Sequence, residues 1–298
     1  MKTAVVTGAG GFIGGALTAA LLSRGYRVYG IDLVRESMSR FFTDGHFIGV
    51  GINLENEKLS NHIDESVDVI YHLAWGGSLG GSDLYNAKLQ AENISTSIEL
   101  CEDMVDKCKR FIFCGSSYEY MRENGNVDIP INIYGIAKGT AASICGALMY
   151  RNRKNFNKVI LTNTFGIGDR SKKAVNTLIY KMLRREKLSL VEGDKPNDWM
   201  FIDDTVEGLI KVFEEGVPYK DYYIGNKNIS TFKEKISIMA ELLYPEAELE
   251  FGTMHENTYV DYAQLDLNAL YEDTTFSPKT DFRKAILKTA EWVKQLEW

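Results

Sequence analysis

The chain has 298 residues, 45% of them hydrophobic and 25% charged, an ordinary globular composition with length for one large domain or two. Its formal net charge of -7 argues against nucleic acid or an anionic membrane surface as the main partner; the basic clusters Arg151, Arg153, Lys154 and Arg184, Arg185, Lys187 fit solvated helix ends or loops. No stretch approaches the ~20 apolar residues needed to span a bilayer, and Cys101, Cys108, Cys114 and Cys145 form neither a C-x-x-C pair nor a metal-ligand spacing with the four histidines. Reduced thiols in a cytoplasmic protein without a bound metal are the expectation. The apolar start imitates a secretion signal only superficially, because glycines between Gly8 and Gly15 interrupt it.

In chain order, short apolar runs alternate with helix-length segments. Strands are expected over 3–7, 27–32, 46–50, 67–73, 110–114 and 158–163. These runs are rich in Val, Ile, Phe and Tyr and lack the polar alternation of a sheet wetted on one face. Helices are expected over 16–24, stopped by Gly25, and over 84–108, where Leu89, Asn93, Ser97, Leu100, Cys101, Met104 and Cys108 form a stripe. A third helix, 134–150, carries the small residues Ala137, Ala141, Ala142 and Gly146, which permit close packing. Past Gly166 the connections become more polar, with helices over 174–185, 204–215 and 232–243 and a last one beginning near Asp281. A short strand at 222–224 is expected to return to the main sheet. Alternation of this kind implies a parallel sheet covered by helices on both faces, with a smaller α+β lobe at its edge.

Gly8, Gly11 and Gly14 stand three apart in TGAGGFIGGAL, between the first strand and the first helix. That spacing suits a tight turn, close backbone approach to a pyrophosphate and close helix–sheet contact, with the helix N-terminus offering free N–H groups. Asp32 ends the second strand, where a carboxylate accepts hydrogen bonds from the adenosine ribose hydroxyls and repels a 2′-phosphate. The expectation is a Rossmann-type dinucleotide-binding domain over 1–166, with a return segment near 199–225, and a mainly substrate-binding lobe over 167–298. NAD is the expected cofactor, although Arg35 lies close enough to leave some tolerance for NADP.

Tyr134 and Lys138 are four apart on one expected helix, so both project from one face. An ammonium beside a phenol stabilises the phenolate and makes it a usable general base. Ser116 and Ser117 follow the strand at 110–114, at the mouth of the crevice where open α/β sheets bind ligands.

Together these residues resemble the extended short-chain dehydrogenase/reductase family, in its NAD-dependent nucleotide-sugar epimerase/dehydratase branch, across nearly the whole chain. The resemblance is carried by G-x-x-G-x-x-G from Gly8 to Gly14, Asp32, YHLAW from Tyr71, Asn93, FIFCGSSYEY from Phe111 and YGIAK from Tyr134. It implies Ser116 as the catalytic hydroxyl, Tyr134 as the proton-transfer residue and Lys138 as its electrostatic partner and nicotinamide-ribose ligand. The implied cofactor site is Gly8, Gly11, Phe12, Ile13, Gly14, Asp32, Leu33, Asn53, Leu54, Leu73, Ala74 and Asn93, together with Tyr134 and Lys138. Trp75, Ser117, Asn163 and Arg170 are the implied substrate-side residues, and a homodimer through the helices around 84–108 and 134–150 is implied as well.

The sequence departs from the family pattern in places. Sugar 4,6-dehydratases of the family place an Asp-Glu pair after the catalytic hydroxyl; Ser117 and Tyr118 stand there and supply no such acid. In NDWMFIDD, Asn197 or Asp198 occupies the place of an arginine that pairs with the substrate diphosphate, so Arg170, Lys172 or Lys173 takes that role or the substrate differs. Trp75 replaces a commoner small residue and either narrows the nicotinamide side or simply packs. The expected activity is epimerisation of a nucleotide-activated sugar through a transient keto sugar. The alternatives are a keto-sugar reductase and a non-catalytic dinucleotide-binding protein.

Overall fold

A computed structural model describes residues 1–77, 81–123 and 132–296. Strand β1 (Thr3–Thr7) leads through the glycine turn into α1 (Phe12–Ser23), followed by β2 (Arg27–Asp32), β3 (Phe47–Gly51) and β4 (Val67–His72). Then come α2 (Ala87–Met104), β5 (Cys108–Ser116), the short β6 (Met121–Glu123), α3 (Ile133–Arg151) and β7 (Asn155–Leu161). The second half holds β8 (Asn163–Phe165), α4 (Ala174–Leu183), β9 (Leu188–Ser189), β10 (Trp199–Phe201), α5 (Ile202–Glu215) and β11 (Tyr222–Ile224). It ends with α6 (Phe232–Leu243), β12 (Leu249–Glu250), β13 (Thr258–Val260), α7 (Ala269–Asp273) and α8 (Phe282–Val293).

Seven strands form one sheet in the order β11-β7-β5-β4-β1-β2-β3, and every pairing in it is parallel. The Rossmann-type α/β expectation holds. Alternate residues of β1 explain why its strands read as unbroken apolar runs: Ala4 and Val6 join one core cluster, Val5 the other. The chain order reverses between β1 and β4, which stay paired to Thr7 and His72, so the connections that follow them diverge to opposite faces and leave a crevice at the C-terminal edge.

Element boundaries differ where local chemistry overrides the apolar pattern. Helix α1 starts at Phe12 because the glycine turn is short. The expected helix 84–108 is cut at both ends: Asn86 caps α2 by accepting from the Leu89 N–H, and Cys108 opens β5 instead. The run 158–163 divides at Thr162, whose hydroxyl donates to the Asp198 carbonyl at 2.9 Å; Asn163 then opens β8, which pairs with β10. Strand β11 does return to the sheet, beside β7.

Helices α4, α6 and α8 carry the lobe beyond Gly166. Their buried residues Ile179, Met239 and Ile286 belong to the same core cluster as Val6, Leu17 and Tyr71 of the sheet side. Among the described residues, no helix is long and apolar enough to cross a membrane.

Candidate active site

The glycine turn is built for close approach. Gly8 sits at φ +71°, and a methyl group there would press on the Ala74 backbone nitrogen at 3.2 Å. A methyl at Gly14 would collide with the Gly8 carbonyl, so only glycine lets α1 begin so near the turn. No side chain caps α1 and no acidic residue lies in its first turn, which leaves free N–H groups facing the crevice. Asp32 accepts from the Gly10 N–H and the Leu33 N–H, both at 2.9 Å, and a carboxylate has lone pairs to spare for two ribose hydroxyls. These residues fit a dinucleotide. Arg35 is engaged elsewhere: its Nε donates to the Gly49 carbonyl at 3.0 Å and its guanidinium lies over the Phe42 ring.

The loop after β4 is held from beneath by a chain of hydrogen bonds. Thr7 Oγ1 accepts from the N–H groups of Leu73 (3.1 Å) and Ala74 (3.0 Å), so its own proton goes to His72 Nδ1 at 2.9 Å. His72 Nε2–H then donates to Ser97 Oγ at 2.9 Å, and Ser97 donates to the Asn93 carbonyl. Only a neutral imidazole fits this chain, and burial, aided by the Lys138 charge, pushes the His72 pKa down to about 3. Asn93 is committed to the same loop, accepting from the Gly76 N–H at 2.7 Å and donating to the Gly76 carbonyl at 3.0 Å. Trp75 donates through Nε1 to the buried Gln90.

Ser116, Tyr134 and Lys138 come together at the end of β5. Tyr134 and Lys138 lie on the inner face of α3, 6% and 4% exposed. Burial pushes the Tyr134 phenol above the ordinary tyrosine range, while its hydrogen bond with Ser116 pulls the other way. The Lys138 ammonium donates to the Cys114 carbonyl at 2.9 Å and sits 4.0 Å from the Trp75 ring centre. Burial pushes its pKa down to about 8. Burial therefore raises the phenol where the four-residue spacing alone suggested a lowering by the ammonium.

Beside these residues opens a cleft lined in part by Tyr118, Asn163, Lys195, Asn197, Glu256 and Tyr259. The Tyr118 ring meets the Tyr134 ring edge-on at 6.1 Å and so joins the cleft to Tyr134. Among the described lining residues, Lys195 is the one cation. Asn197 faces the cleft and accepts from Asn163 Nδ2 at 3.4 Å; Asp198 is turned inward, taking the Tyr223 hydroxyl at 2.6 Å and Asn226 Nδ2 at 2.6 Å.

Of the four substrate-side residues, only Asn163 lines that cleft. Trp75 packs beneath Lys138, Ser117 is buried inside the turn, and Arg170 is exposed with its guanidinium above Trp292. Phe12 and Ile13 form the first turn of α1, and Leu73 packs with the core. Leu33 is exposed at the end of β2, Leu54 packs on the second core cluster, and Asn53 Oδ1 accepts from the Glu55 N–H in a local turn. Several residues that shape the site went unread in the sequence. Thr7 and His72 sit inside quoted motifs, and Glu119 stands at the S-x-x-E spacing of a capping box after Ser116. Lys195 carries no local signal.

A model of the NAD dependent epimerase/dehydratase family matches residues 4–225. A Bacillus subtilis protein described as an uncharacterized UDP-glucose epimerase, YtcB, is 26% identical over 91% of this chain and 93% of its own. UDP-glucuronic acid decarboxylase 2 of Arabidopsis thaliana is 27% identical over 95% of this chain and 66% of its own. Among solved structures, a Bacillus cereus UDP-glucuronic acid 4-epimerase with UDP-glucuronic acid and NAD superposes at a TM-score of 0.81, with 23% identity over the full length of both chains. That level of identity shows a shared fold. The family match takes in the glycine turn, Ser116, Tyr134 and Lys138, and by it the chain belongs to the NAD dependent epimerase/dehydratase family, enzymes of the extended short-chain dehydrogenase/reductase type with NAD as cofactor.

Proposed function

We propose that the protein epimerises a nucleotide-activated sugar through a bound keto sugar. The observation that carries this is the meeting of Ser116, Tyr134 and Lys138 at the end of β5, beside the cleft that holds Asn163, Lys195 and Asn197. NAD, when bound against the glycine turn, supplies the hydride acceptor, the later hydride donor and a positive ring that favours the Tyr134 phenolate. Tyr134 takes the proton of a sugar hydroxyl as the hydrogen on that carbon leaves with its electron pair. Ser116 donates a hydrogen bond to the oxygen as it becomes a carbonyl. The Lys138 ammonium offsets the phenolate charge from the same helix face. Once the keto sugar has turned over, Tyr134 returns its proton as hydride reaches the opposite face, so no net oxidation occurs.

Lys195 is the cleft's counter-charge for a diphosphate, in place of the arginine absent at Asn197. The names of the relatives, UDP-glucose epimerase and UDP-glucuronic acid decarboxylase, support a nucleotide sugar as the substrate class. Ser117 and Tyr118 offer no carboxyl pair for dehydration.

The test is a screen of UDP-, GDP-, CDP- and dTDP-sugars with purified protein, read by chromatography with and without added NADH. Epimer formation without added NADH is expected. Steady NADH consumption with a keto sugar would assign a reductase instead. Tyr134→Phe is expected to cut kcat ~10²–10⁴-fold, the usual worth of a positioned general base, and unchanged turnover would remove the assignment.

A further inference from the structure

The turn after β5 carries a carboxylate that the proposed chemistry does not use. Glu119 Oε1 accepts the Ser116 backbone N–H at 2.9 Å, while Ser116 Oγ accepts the Tyr118 N–H at 3.2 Å. Its side chain is only 8% exposed, and Oε2 is paired with Lys158 Nζ at 3.2 Å from the adjacent strand β7. Lys158 reaches on to Asp221 at 3.0 Å. Burial would lower the Lys158 pKa, but the two carboxylates more than offset it and hold the ammonium charged.

Room for the carboxylate comes from missing side chains. A methyl at Gly115 would collide with Glu119 Oε1, and one at Gly139 on α3 would press on Oε2 at 3.2 Å. A methyl at Gly135 would collide with the Tyr118 carbonyl, so the turn and α3 touch backbone to backbone beside Tyr134. A turn needing only a cap has no use for a buried ion pair, which costs desolvation of both charges. What the pair adds is a fixed direction for Oε1.

We propose that Glu119, locked by Lys158, is a positioning residue that fixes the backbone of Ser116 and hence the angle at which the Ser116 hydroxyl meets the reacting sugar oxygen. What Ser116 does there rests on the proposed epimerase activity; the lock itself does not.

Three variants test it in the NAD-loaded enzyme. Glu119→Gln keeps an acceptor for the Ser116 N–H, Glu119→Val removes it, and Glu119→Gln with Lys158→Met removes both charges without stranding either. With a sugar nucleotide that the wild type turns over, Glu119→Val is expected to lower kcat ~10- to 100-fold with KM held within about 2-fold, the signature of misplacement. The Gln variant, still held by Lys158, should recover most of that loss, and the double variant, whose amide nothing then locks, should recover clearly less of it. On the same protein without substrate, amide hydrogen exchange at Ser116 should speed up ~10-fold or more in Glu119→Val while the middle of β5 is unchanged. Wild-type kcat in the folded Val variant, or Ser116 exchange at the wild-type rate, overturns the proposal. If the wild type turns over no sugar nucleotide, the epimerase activity fails, and the exchange measurement alone then decides for or against the lock.

Discussion

At the scale of single residues, burial governs the proposed catalytic pair. Tyr134 and Lys138 were legible from their four-residue spacing, and Ser116 from its place at a strand end. Spacing could not reveal that both side chains are enclosed, so it suggested a lowered phenol where burial raises it. Asp32 was legible for the same positional reason as Ser116, and it leads to a sharp expectation. Asp32→Ala should narrow the preference for NAD over NADP by ~10-fold or more in a direct titration, because the carboxylate both binds the ribose and repels a 2′-phosphate. A wild-type protein that binds NADP more tightly than NAD would contradict the assignment. Lys195, which no sequence signal marked, is the one cation among the described residues lining the cleft; Lys195→Ala should raise KM for a nucleotide sugar ~10-fold with kcat little changed, since such a charge contributes uniformly to binding.

At the scale of elements, the strands and helices were legible because a sheet covered on both faces needs continuous apolar runs. Their ends were not, because ends are set by caps and side-chain bonds such as Asn86 on α2 and Thr162 after β7. Contacts between elements were legible only as small residues. Gly135 illustrates the gap: its value lies in the Tyr118 carbonyl against it. Gly135→Ala should push α3 off the turn and lower kcat ~10²-fold, with far-UV circular dichroism unchanged. The chain from Thr7 through His72 to Ser97 joins β1, β4 and α2, and it carries a pH signature. The folded His72 pKa is about 3 against 6.5 when unfolded, so between these values the unfolded chain binds the proton and the folded one does not. Stability is therefore lost as pH falls through that window, by about 3 kcal/mol between pH 7 and pH 4. Urea midpoints of the wild type against His72→Gln should show this slope flattened in the variant; equal slopes would show that the imidazole is not the group responsible.

At the scale of the molecule, the Rossmann-type architecture was legible from the alternation of runs and the glycine spacing, but the way the two halves share one interior was not. Residues of the sheet and its flanking helix, such as Val6 and Leu17, and lobe residues such as Ile179 and Ile286 form a single cluster. Unfolding should accordingly be one transition, with fluorescence and circular dichroism coincident, and removal of the chain from Asp281 onward should abolish it.

On the proposed function, that shared interior also decides how a sugar nucleotide gets in. A hinge between the halves would have to tear open the apolar cluster that joins them, so the cleft beside Tyr118 works as a slot of set width rather than a closing jaw. Choice among sugars is cut into the walls of the slot, where exchanging wall residues can retune it; grafting a foreign lobe onto this sheet would expose half a core.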